Sequence, residues 1–193
     1  MDPIEEFRAL FAQAQAVDRA LLPDPTAMSL ATVSPRGAPS VRIVLLKDVD
    51  ERGFVFYTNM NGRKGRELIA TPRAALCFHW AALETQIRVE GDVEPVTDAE
   101  ADAYFASRAH ASQIGAWAST QSETLVSMDE LRGRALEVEQ LYANKPVPRP
   151  PYWTGRRVRP ERIEFWHAGE FRLHERRLFE RDGESWRMRR LFP

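Results

Sequence analysis

Short strand-like runs dominate this sequence and limit its possible folds more than any other feature. Residues 27–34, 40–48 and 53–59 follow one another closely, separated by SPRGAP and DVDERG, whose Pro and Gly are typical of turns. Strands in such quick succession predict an antiparallel meander. Further strands are predicted at residues 75–80, 85–96, 156–167, 170–182 and 185–193, the last three joined by tight turns at 168–169 and 182–183.

Helical patterns occur before and between these strands. Asp2 can cap a first helix, and Thr97 with Glu100 forms a capping box that opens the helix of TDAEADAYFASR. ASQIGAWAS and MDELRGRALEVEQLYAN predict two more helices, the second with an apolar stripe that includes Leu136 and Leu141. Since strands outnumber helices and no regular βαβ alternation occurs, we expect a mainly β fold, an antiparallel barrel with flanking helices.

The charge balance excludes a general nucleic-acid-binding surface. Among 193 residues, 27 Lys and Arg face 28 Asp and Glu, so the net charge is -1 and any anion site must be local. The acidic start MDPIEEFRAL and the lack of a long apolar run predict a cytoplasmic protein that does not span a membrane. With a single cysteine and four histidines that lack ligand spacing, we expect no disulfide and no metal site.

The stretch HAGEFRLHERRLF, residues 167–179, concentrates positive charge near the C-terminus. As a strand it would place Arg172, His174 and Arg176 on one face, where like charges repel. Such a face is either a solvated surface or one wall of an anion site, and the stretch alone leaves both interpretations open.

Two further pairs of cations could hold anions. Arg42 and Lys47 bracket the apolar strand RIVLLK, and five residues apart they fall on opposite faces of a regular strand. Either a bulge reorients one of them or they serve two different ligands. Arg63 and Lys64 lie in the Gly-flanked loop NGRKG before a helix, where they could hold a phosphate unless the loop is simply solvated.

Other polar side chains have the types that bind a phosphorylated heterocycle. Tyr104, Arg108 and Ser112 are four residues apart, so one continuous helix would align them for a phosphate monoester, although a polar helix face explains them equally well. Gln86 in a strand and the Gln-Ser pair at 121–122 could read the polar edge of a ring.

A set of short segments from about residue 28 to the C-terminus carries a family resemblance: RIVLLK, FYTN, GRKGREL, QIRVEG, YFASR, SQIGAWAS, QS, PYWTGRRV, IEFW and RLHER. In this order they resemble the pyridoxamine 5′-phosphate oxidase family of FMN-dependent split-barrel proteins. The resemblance implies a single FMN-binding split β-barrel domain over residues 1–193. Within it, 1–22 would form an N-terminal helical segment and 157–193 a three-stranded meander that completes the active site.

The same resemblance implies an activity. Members of the family are homodimers with FMN at the subunit interface, and they oxidise pyridoxamine or pyridoxine 5′-phosphate to pyridoxal 5′-phosphate, the vitamin B6 cofactor. O2 is reduced to hydrogen peroxide. The flavin supplies the redox chemistry, and the protein supplies position and electrostatics.

Carried over residue by residue, the resemblance implies three groups of site residues. The flavin contacts would be Arg42, Ile43, Val44, Leu45, Leu46, Lys47, Tyr57, Thr58, Arg63, Lys64, Gln86, Gln121, Ser122, Trp166 and Arg176. The substrate phosphate would be bound by Lys47, Tyr104, Arg108 and Ser112. Arg172 and His174, the catalytic pair, would clamp the substrate ring and assist proton movement.

The sequence departs from the family pattern at Gly62, where a phosphate-binding serine is expected. Two alternatives to the vitamer oxidase are a phenazine-biosynthesis-type flavin oxidase and a non-catalytic flavin- or haem-binding split barrel. Lys47 and the Tyr, Arg and Ser set favour a phosphorylated substrate over a tricyclic acid. Peroxide production would separate an enzyme from a binding protein.

Overall fold

A computed structural model describes residues 2–193 as one nine-stranded antiparallel sheet with five helices around it. The helices are α1 (Pro3–Ala16), α2 (Arg63–Ala70), α3 (Asp98–Ser107), α4 (His110–Ala118) and α5 (Met128–Leu141). The strands are β1 (Ala27–Val33), β2 (Pro39–Leu45), β3 (Asp48–Asp50), β4 (Gly53–Asn59), β5 (Arg73–Trp80), β6 (Thr85–Pro95), β7 (Trp153–His167), β8 (Glu175–Asp182) and β9 (Ser185–Arg190). The mainly β class predicted from the sequence is confirmed. Within residues 2–193, no helix is both long enough and apolar enough to cross a membrane.

The strand order is β2-β1-β5-β6-β7-β4-β3, with β8 and β9 continuing from β7. β1 and β2 form a hairpin, but β4 pairs with β3 and β7 instead of β2. The predicted meander of the first strands is therefore wrong. The reason lies at the end of β2, where the Leu46 N–H donates to Thr26 on one side and the Lys47 N–H donates to Val55 of β4 on the other.

The first helix packs its apolar stripe into the main core. The Asp2 carboxylate accepts a backbone N–H of the first turn at 2.8 Å, which confirms the predicted cap. Phe7 is fully buried, and its ring centroid lies 4.8 Å from that of Phe54 and 5.0 Å from that of Phe78. Burying one side chain of this size contributes about 2 to 3 kcal/mol, so α1 belongs to the core of the fold.

β7 is the central strand of the sheet. It is 15 residues long, and it pairs with β4 along its first half, with β6 along most of its length and with β8 along its second half. The β6 register shifts between Glu90 and Gly91. A Cβ on Gly91 would lie 1.9 Å from the Arg159 carbonyl oxygen, so the close approach at this bulge requires glycine.

A buried group of charges ties α3 to the sheet. Arg157 of β7 is 2% exposed and donates hydrogen bonds to Asp50 at 2.5 Å and to Glu100 at 3.0 Å. Glu100 also completes the predicted capping box with Thr97. Hydrogen bonds from Thr97 and Arg52 lower the pKa of Glu100 to about 2, so its carboxylate is ionised at neutral pH.

The strand predicted at 170–182 begins only at Glu175. Residues 170–172 form one turn of 3₁₀ helix, in which Phe171 and Arg172 have φ angles of 54° and 64°. Left-handed backbone ends the alternation of a strand. The three basic side chains predicted to share one strand face therefore do not, and the tight turn predicted at 168–169 is a longer connection.

Apolar side chains are exposed on two elements. α5 begins where predicted and ends three residues earlier, at Leu141; it buries none of its side chains, and its Leu136 and Leu141 are each 58% exposed. On the edge strand β2, Val41 is 68% and Ile43 is 64% exposed. Exposed apolar surface on a sheet edge is typical of an interface between chains.

Candidate active site

A cleft of about 590 Å³ opens between β2, β4, the start of α2 and the junction of α3 with α4. Its volume is typical of a small-molecule site. Many of the residues predicted from the sequence line it: Arg42, Ile43, Val44, Leu45, Lys47, Tyr57, Thr58, Lys64, Tyr104, Arg108, Ser112 and Gln121.

A buried carboxylate fixes the arginines beside this cleft. Glu67 of α2 is 4% exposed and accepts hydrogen bonds from Thr32, from Ser40 at 2.6 Å and from Arg63 at 2.9 Å. The Arg42 guanidinium lies 3.3 Å from the same carboxylate. Burial alone would raise the pKa of Glu67, but the hydrogen bonds from Ser40, Thr32 and Arg63 outweigh it and lower the pKa to about 2. Glu67 is therefore ionised and orients both guanidinium groups.

The ammonium group of Lys64 lies where a helix, a strand and a loop meet. Its Nζ donates to Gln121 Oε1 at 2.6 Å and to Thr58 Oγ1 at 3.1 Å. Burial and then the nearby Arg42 lower the pKa of Lys64. The prediction that Arg63 and Lys64 lie in a loop before the helix is wrong. Helix α2 begins at Arg63, so both residues belong to its first turn.

The N-terminus of α2 is capped from a distant loop. Gly62 is the N-cap residue and has no side chain to offer, and the Arg63 N–H donates instead to Ser122 Oγ at 3.1 Å. A Cβ on Gly62 would lie 2.6 Å from Gln121 Oε1. The hydroxyl that the family pattern led us to expect at position 62 is thus absent, and Gln121 occupies the adjacent space.

Lys47 lies between two strands, since β2 ends at Leu45 and β3 begins at Asp48. The argument from strand parity, which separated Lys47 from Arg42, therefore does not apply. Both cations line the same cleft. Leu46 is 3% exposed and packs in the main core, so only its backbone remains a predicted flavin contact.

Tyr104, Arg108 and Ser112, which one continuous helix would align, lie on α3, at the junction and on α4, respectively. The backbone of Arg108 is extended, with ψ of 149°, and this break ends α3. Gln113 of α4 stabilises the break by donating from Nε2 to the Arg108 carbonyl at 3.1 Å. The two separate helices predicted here are found, and Tyr104, Arg108 and Ser112 all line the cleft without sharing one continuous helix.

Arg108 is the most distinctive cation of the cleft. Its guanidinium carbon lies 4.7 Å from the ring centroid of Trp153, and its Nη1 is buried without a hydrogen-bond partner within residues 2–193. Burial lowers the pKa of Arg108, although a guanidinium stays charged at neutral pH. A buried cation with an unpaired N–H gains most from an anionic ligand.

The remaining predicted residues lie mainly at the other end of β7. Gln86 pairs with Trp166 across β6 and β7, and Trp166 pairs with Arg176 of β8. The rings of Trp166 and His174 are 4.6 Å apart. Arg176 donates to Glu164 at 2.8 Å, and this hydrogen bond raises the pKa of Arg176. Glu164 therefore offsets part of the positive charge that the sequence concentrates here.

Within one chain, these residues do not meet the cleft. Arg172 is exposed in the 3₁₀ turn before β8, and neither it nor Trp166 lines the cleft. Trp153 and Trp166 lie near opposite ends of β7, separated by roughly 40 Å of extended strand. One chain thus presents two separate groups of predicted site residues.

Glu67 and Trp153 are among the residues of this region that sequence reasoning missed. The spacing of Arg63 and Glu67, four residues apart on a helix, was the available signal for the first. Trp153 gave no local signal, because its partners Tyr57 and Tyr104 are distant in the sequence.

Comparison with protein-family models gives two matches. The model described as "Pyridoxamine 5'-phosphate oxidase" matches residues 14–142, and the model described as "Pyridoxine 5'-phosphate oxidase C-terminal dimerisation region" matches residues 153–193. Among curated proteins, the pyridoxine/pyridoxamine 5'-phosphate oxidase of Myxococcus xanthus (strain DK1622) is 59% identical over 192 residues, which cover 100% of this chain and 92% of that protein.

Two solved structures share the fold. PhzG from Burkholderia lata 383, in complex with tetrahydrophenazine-1-carboxylic acid, has a TM-score of 0.91 and 34% identity over 100% of this chain and 93% of its own. A pyridoxamine 5'-phosphate oxidase-related, FMN binding protein from Nostoc punctiforme PCC 73102 has a TM-score of 0.77 at 18% identity, covering 97% of each chain. The split-barrel fold predicted from the sequence is thereby confirmed.

Proposed function

This chain belongs to the pyridoxamine 5′-phosphate oxidase family, and from that premise we propose that its cleft holds FMN beside a phosphorylated vitamer. The chain is an oxidoreductase that converts pyridoxamine and pyridoxine 5′-phosphate to pyridoxal 5′-phosphate, a reaction of vitamin B6 metabolism. O2 is the proposed electron acceptor and becomes hydrogen peroxide. A cytoplasmic location stays a prediction from the sequence.

The unpaired Nη1 of Arg108 is the observation that carries the assignment of the substrate phosphate. Lys47, Tyr104 and Ser112 line the same cleft, so one ammonium, one guanidinium and two hydroxyl groups are available to a single anion. A phosphate dianion accepts several charge-assisted hydrogen bonds at once. Binding it would satisfy the buried N–H and offset the desolvation of Arg108.

Residues around the start of α2 fit the phosphate of FMN. Arg42 and Lys64 line the cleft, and Arg63 lies beside them in the first turn of α2. The backbone N–H groups and dipole of a helix N-terminus add to this positive potential. The lowered pKa of Lys64 has burial as its main cause, and an anionic partner would stabilise its charged form. When bound, FMN would supply the redox chemistry, which is acceptance of a hydride from the substrate and transfer of the electrons to O2.

We propose that the second group of site residues completes the cleft of the partner chain in a homodimer. Gln86, Trp166, Arg172, His174 and Arg176 are too far along the sheet to serve the cleft of their own chain. The match of residues 153–193 to a dimerisation region supports a homodimer, and so do the exposed apolar side chains on β2, which borders the cleft. FMN at the subunit interface would then contact both chains.

His174 is suited to move a proton at one defined ring nitrogen. Its Nδ1 accepts the Gly169 N–H at 3.2 Å, so in the neutral ring the proton lies on Nε2. Contact with Trp166 holds the ring in place. Arg172 adds a positive charge from the same turn. We propose that this pair clamps the substrate ring while the substrate carbon loses a hydride, after which water releases ammonia from the imine of the amine substrate.

The phenazine-type oxidase is the second candidate, because PhzG shares the scaffold at 34% identity. A carboxylate could also pair with Arg108. Together with Arg108, the side chains of Lys47, Tyr104 and Ser112 offer more N–H and O–H donors than the two oxygens of a carboxylate accept, which favours the three terminal oxygens of a phosphate.

An aerobic assay of the FMN-loaded protein tests the proposal. Pyridoxamine and pyridoxine 5′-phosphate should each yield pyridoxal 5′-phosphate and hydrogen peroxide in equal amounts. Unphosphorylated pyridoxine should have a KM raised about 100-fold or more, because it lacks the charge-assisted bonds. An Arg132→Ala variant, which removes an exposed arginine of α5, should match the unaltered chain. Turnover of a reduced phenazine carboxylic acid, with no peroxide from either vitamer, would reverse the assignment.

A further inference from the structure

Trp153, the first residue of β7, packs within a group of aromatic rings on the cleft wall, in which Tyr57 and Tyr104 are the closest pair, with ring centroids 4.0 Å apart. Its indole is 6% exposed and nearly parallel to the rings of Tyr57 and Tyr104, at centroid distances of 5.2 and 6.0 Å. Phe105 meets it edge-on at 5.1 Å. The Arg108 guanidinium lies over the indole at 4.7 Å. One side chain therefore contacts two residues of the proposed phosphate site.

The stack holds Arg108 in a way that a carboxylate would not. A guanidinium over an aromatic face is attracted by the ring quadrupole, while the N–H groups at its edge remain free to donate. Within residues 2–193, no carboxylate forms a salt bridge with Arg108, and its Nη1 has no partner. A carboxylate would compete with an anionic ligand for the same N–H groups, whereas the indole does not.

The backbone of Trp153 is itself tied to α3. The Trp153 carbonyl accepts a hydrogen bond from Arg149 at 2.9 Å, and Arg149 also pairs with Asp98 and Asp102 of α3. Hydrogen bonds from its guanidinium to Asp102 raise the pKa of Arg149, so these pairs persist at neutral pH. The helix that carries Tyr104 is thus tied to the residue on which Tyr104 and Arg108 stack.

We infer that Trp153 is a positioning residue for substrate phosphate: its indole orients the Arg108 guanidinium and, together with Tyr57, the Tyr104 ring, while leaving their polar groups free for the anion. The inference rests on the proposed function. It assigns Trp153 no contact with the reacting carbon. Substituting it should therefore weaken the binding of the phosphorylated substrate more than it slows the chemical step.

The test compares Trp153→Leu with Trp153→Phe in FMN-loaded protein. Leu removes the ring, so KM for pyridoxine 5′-phosphate should rise about tenfold while kcat changes less than about twofold. Phe keeps an aromatic face and should restore KM to within about threefold. Arg132→Ala, at an exposed pair on α5 away from the cleft, is the control. That variant should leave KM unchanged.

A double variant shows whether Trp153 acts through Arg108. In an Arg108→Ala background, Trp153→Leu should add less than about twofold to KM, since the guanidinium is already gone. Equal losses of kcat in the Leu and Phe variants, or additive effects in the double variant, would overturn the inference.

Titration with inorganic phosphate, monitored by calorimetry, separates this inference from the proposed function. The unaltered chain should bind phosphate more tightly than Trp153→Leu whichever substrate it oxidises. Phosphate binding that depends on Trp153, without vitamer turnover, would contradict the function alone. Vitamer turnover with unchanged KM and unchanged phosphate affinity in Trp153→Leu would contradict the inference alone.

Discussion

Glu67 illustrates how a single buried carboxylate organises two cations of a binding site. It pairs with both Arg42 and Arg63 and accepts hydroxyl hydrogen bonds from Thr32 and Ser40. Its pKa of about 2 lies below the ordinary value of 4.5. A carboxyl group whose pKa is lower in the folded than in the unfolded state stabilises the fold above the unfolded pKa.

Replacing Glu67 with Gln should lower the free energy of unfolding by roughly 3 to 4 kcal/mol at pH 7, because each unit of pKa shift corresponds to about 1.4 kcal/mol. The difference in unfolding free energy between the variant and the unaltered chain should shrink as the pH falls from about 5 towards 2, because Glu67 of the folded unaltered chain becomes protonated there. Urea titrations across this range measure it. The control is Glu5→Gln, at an exposed i,i+3 pair with Arg8, whose free energy of unfolding should differ little from that of the unaltered chain at any pH. A loss of stability in Glu67→Gln that does not change with pH would contradict the explanation.

The sequence was enough to identify the individual cations of the cleft, but it could not predict their positions relative to one another. Lys47 and Arg108 were both predicted, and both line the cleft. The arguments from spacing apply only to a regular strand or one continuous helix, and the backbone is irregular at both positions. Residue type carries chemistry, but side-chain direction depends on local φ and ψ angles that tertiary hydrogen bonds determine.

At the scale of elements, α3 depends on charges supplied by distant segments. Three acids of this helix form salt bridges with arginines. Asp98 and Asp102 both pair with Arg149. Glu100 pairs with Arg157 and Arg52. The capping box of α3 was predicted correctly because it is local to four residues. The arginines that anchor the helix were not predicted, since they lie about 50 residues away or more.

Replacing Arg157 with Met should destabilise the protein by about 3 to 5 kcal/mol, since removal of one partner leaves buried charges uncompensated. Thermal unfolding and amide hydrogen exchange along α3 measure the effect, which should be greatest in the amides of that helix. Arg132→Ala, at an exposed pair on α5, should cost less than about 0.5 kcal/mol. Exchange that rises uniformly along the chain, without preference for α3, would show that the cluster does not anchor this helix.

The turn before β8 shows the limit of strand prediction. Residues 170–174 alternate as a strand would, yet Phe171 and Arg172 adopt left-handed backbone. Phe171 is 90% exposed, so no buried face within the chain favours the extended form at this point. Alternation predicts a strand only where one face has a core to pack against.

At the scale of the whole molecule, the exposed edge of β2 and the division of the site between the two ends of β7 lead to the same expectation. Val41 and Ile43 present apolar surface beside the cleft. The second group of site residues lies at the far end of β7. A dimer that covers β2 and supplies the second group would account for both features.

Replacing Val41 with Lys should weaken the proposed dimer, because a charge would be buried at the interface. On dilution, the variant should release its flavin at a protein concentration at least about tenfold higher than the concentration at which the unaltered chain releases it. Sedimentation on dilution measures dissociation of the dimer, and flavin fluorescence in the same samples measures release of the flavin. Leu21→Lys is the matched control, since Leu21 is 70% exposed but lies outside the sheet, and its flavin should be retained. A Val41→Lys monomer that keeps its flavin would refute a shared site.

The length of β7 has a consequence for inheritance. Each cleft would draw on one end of this strand from one chain and on the other end from its neighbour. Two defective alleles, one damaged at Arg108 and the other at His174, could then assemble into a mixed pair in which both lesions fall in one cleft and the other cleft is intact. Lesions at opposite ends of the strand would complement each other, whereas two lesions at the same end would not.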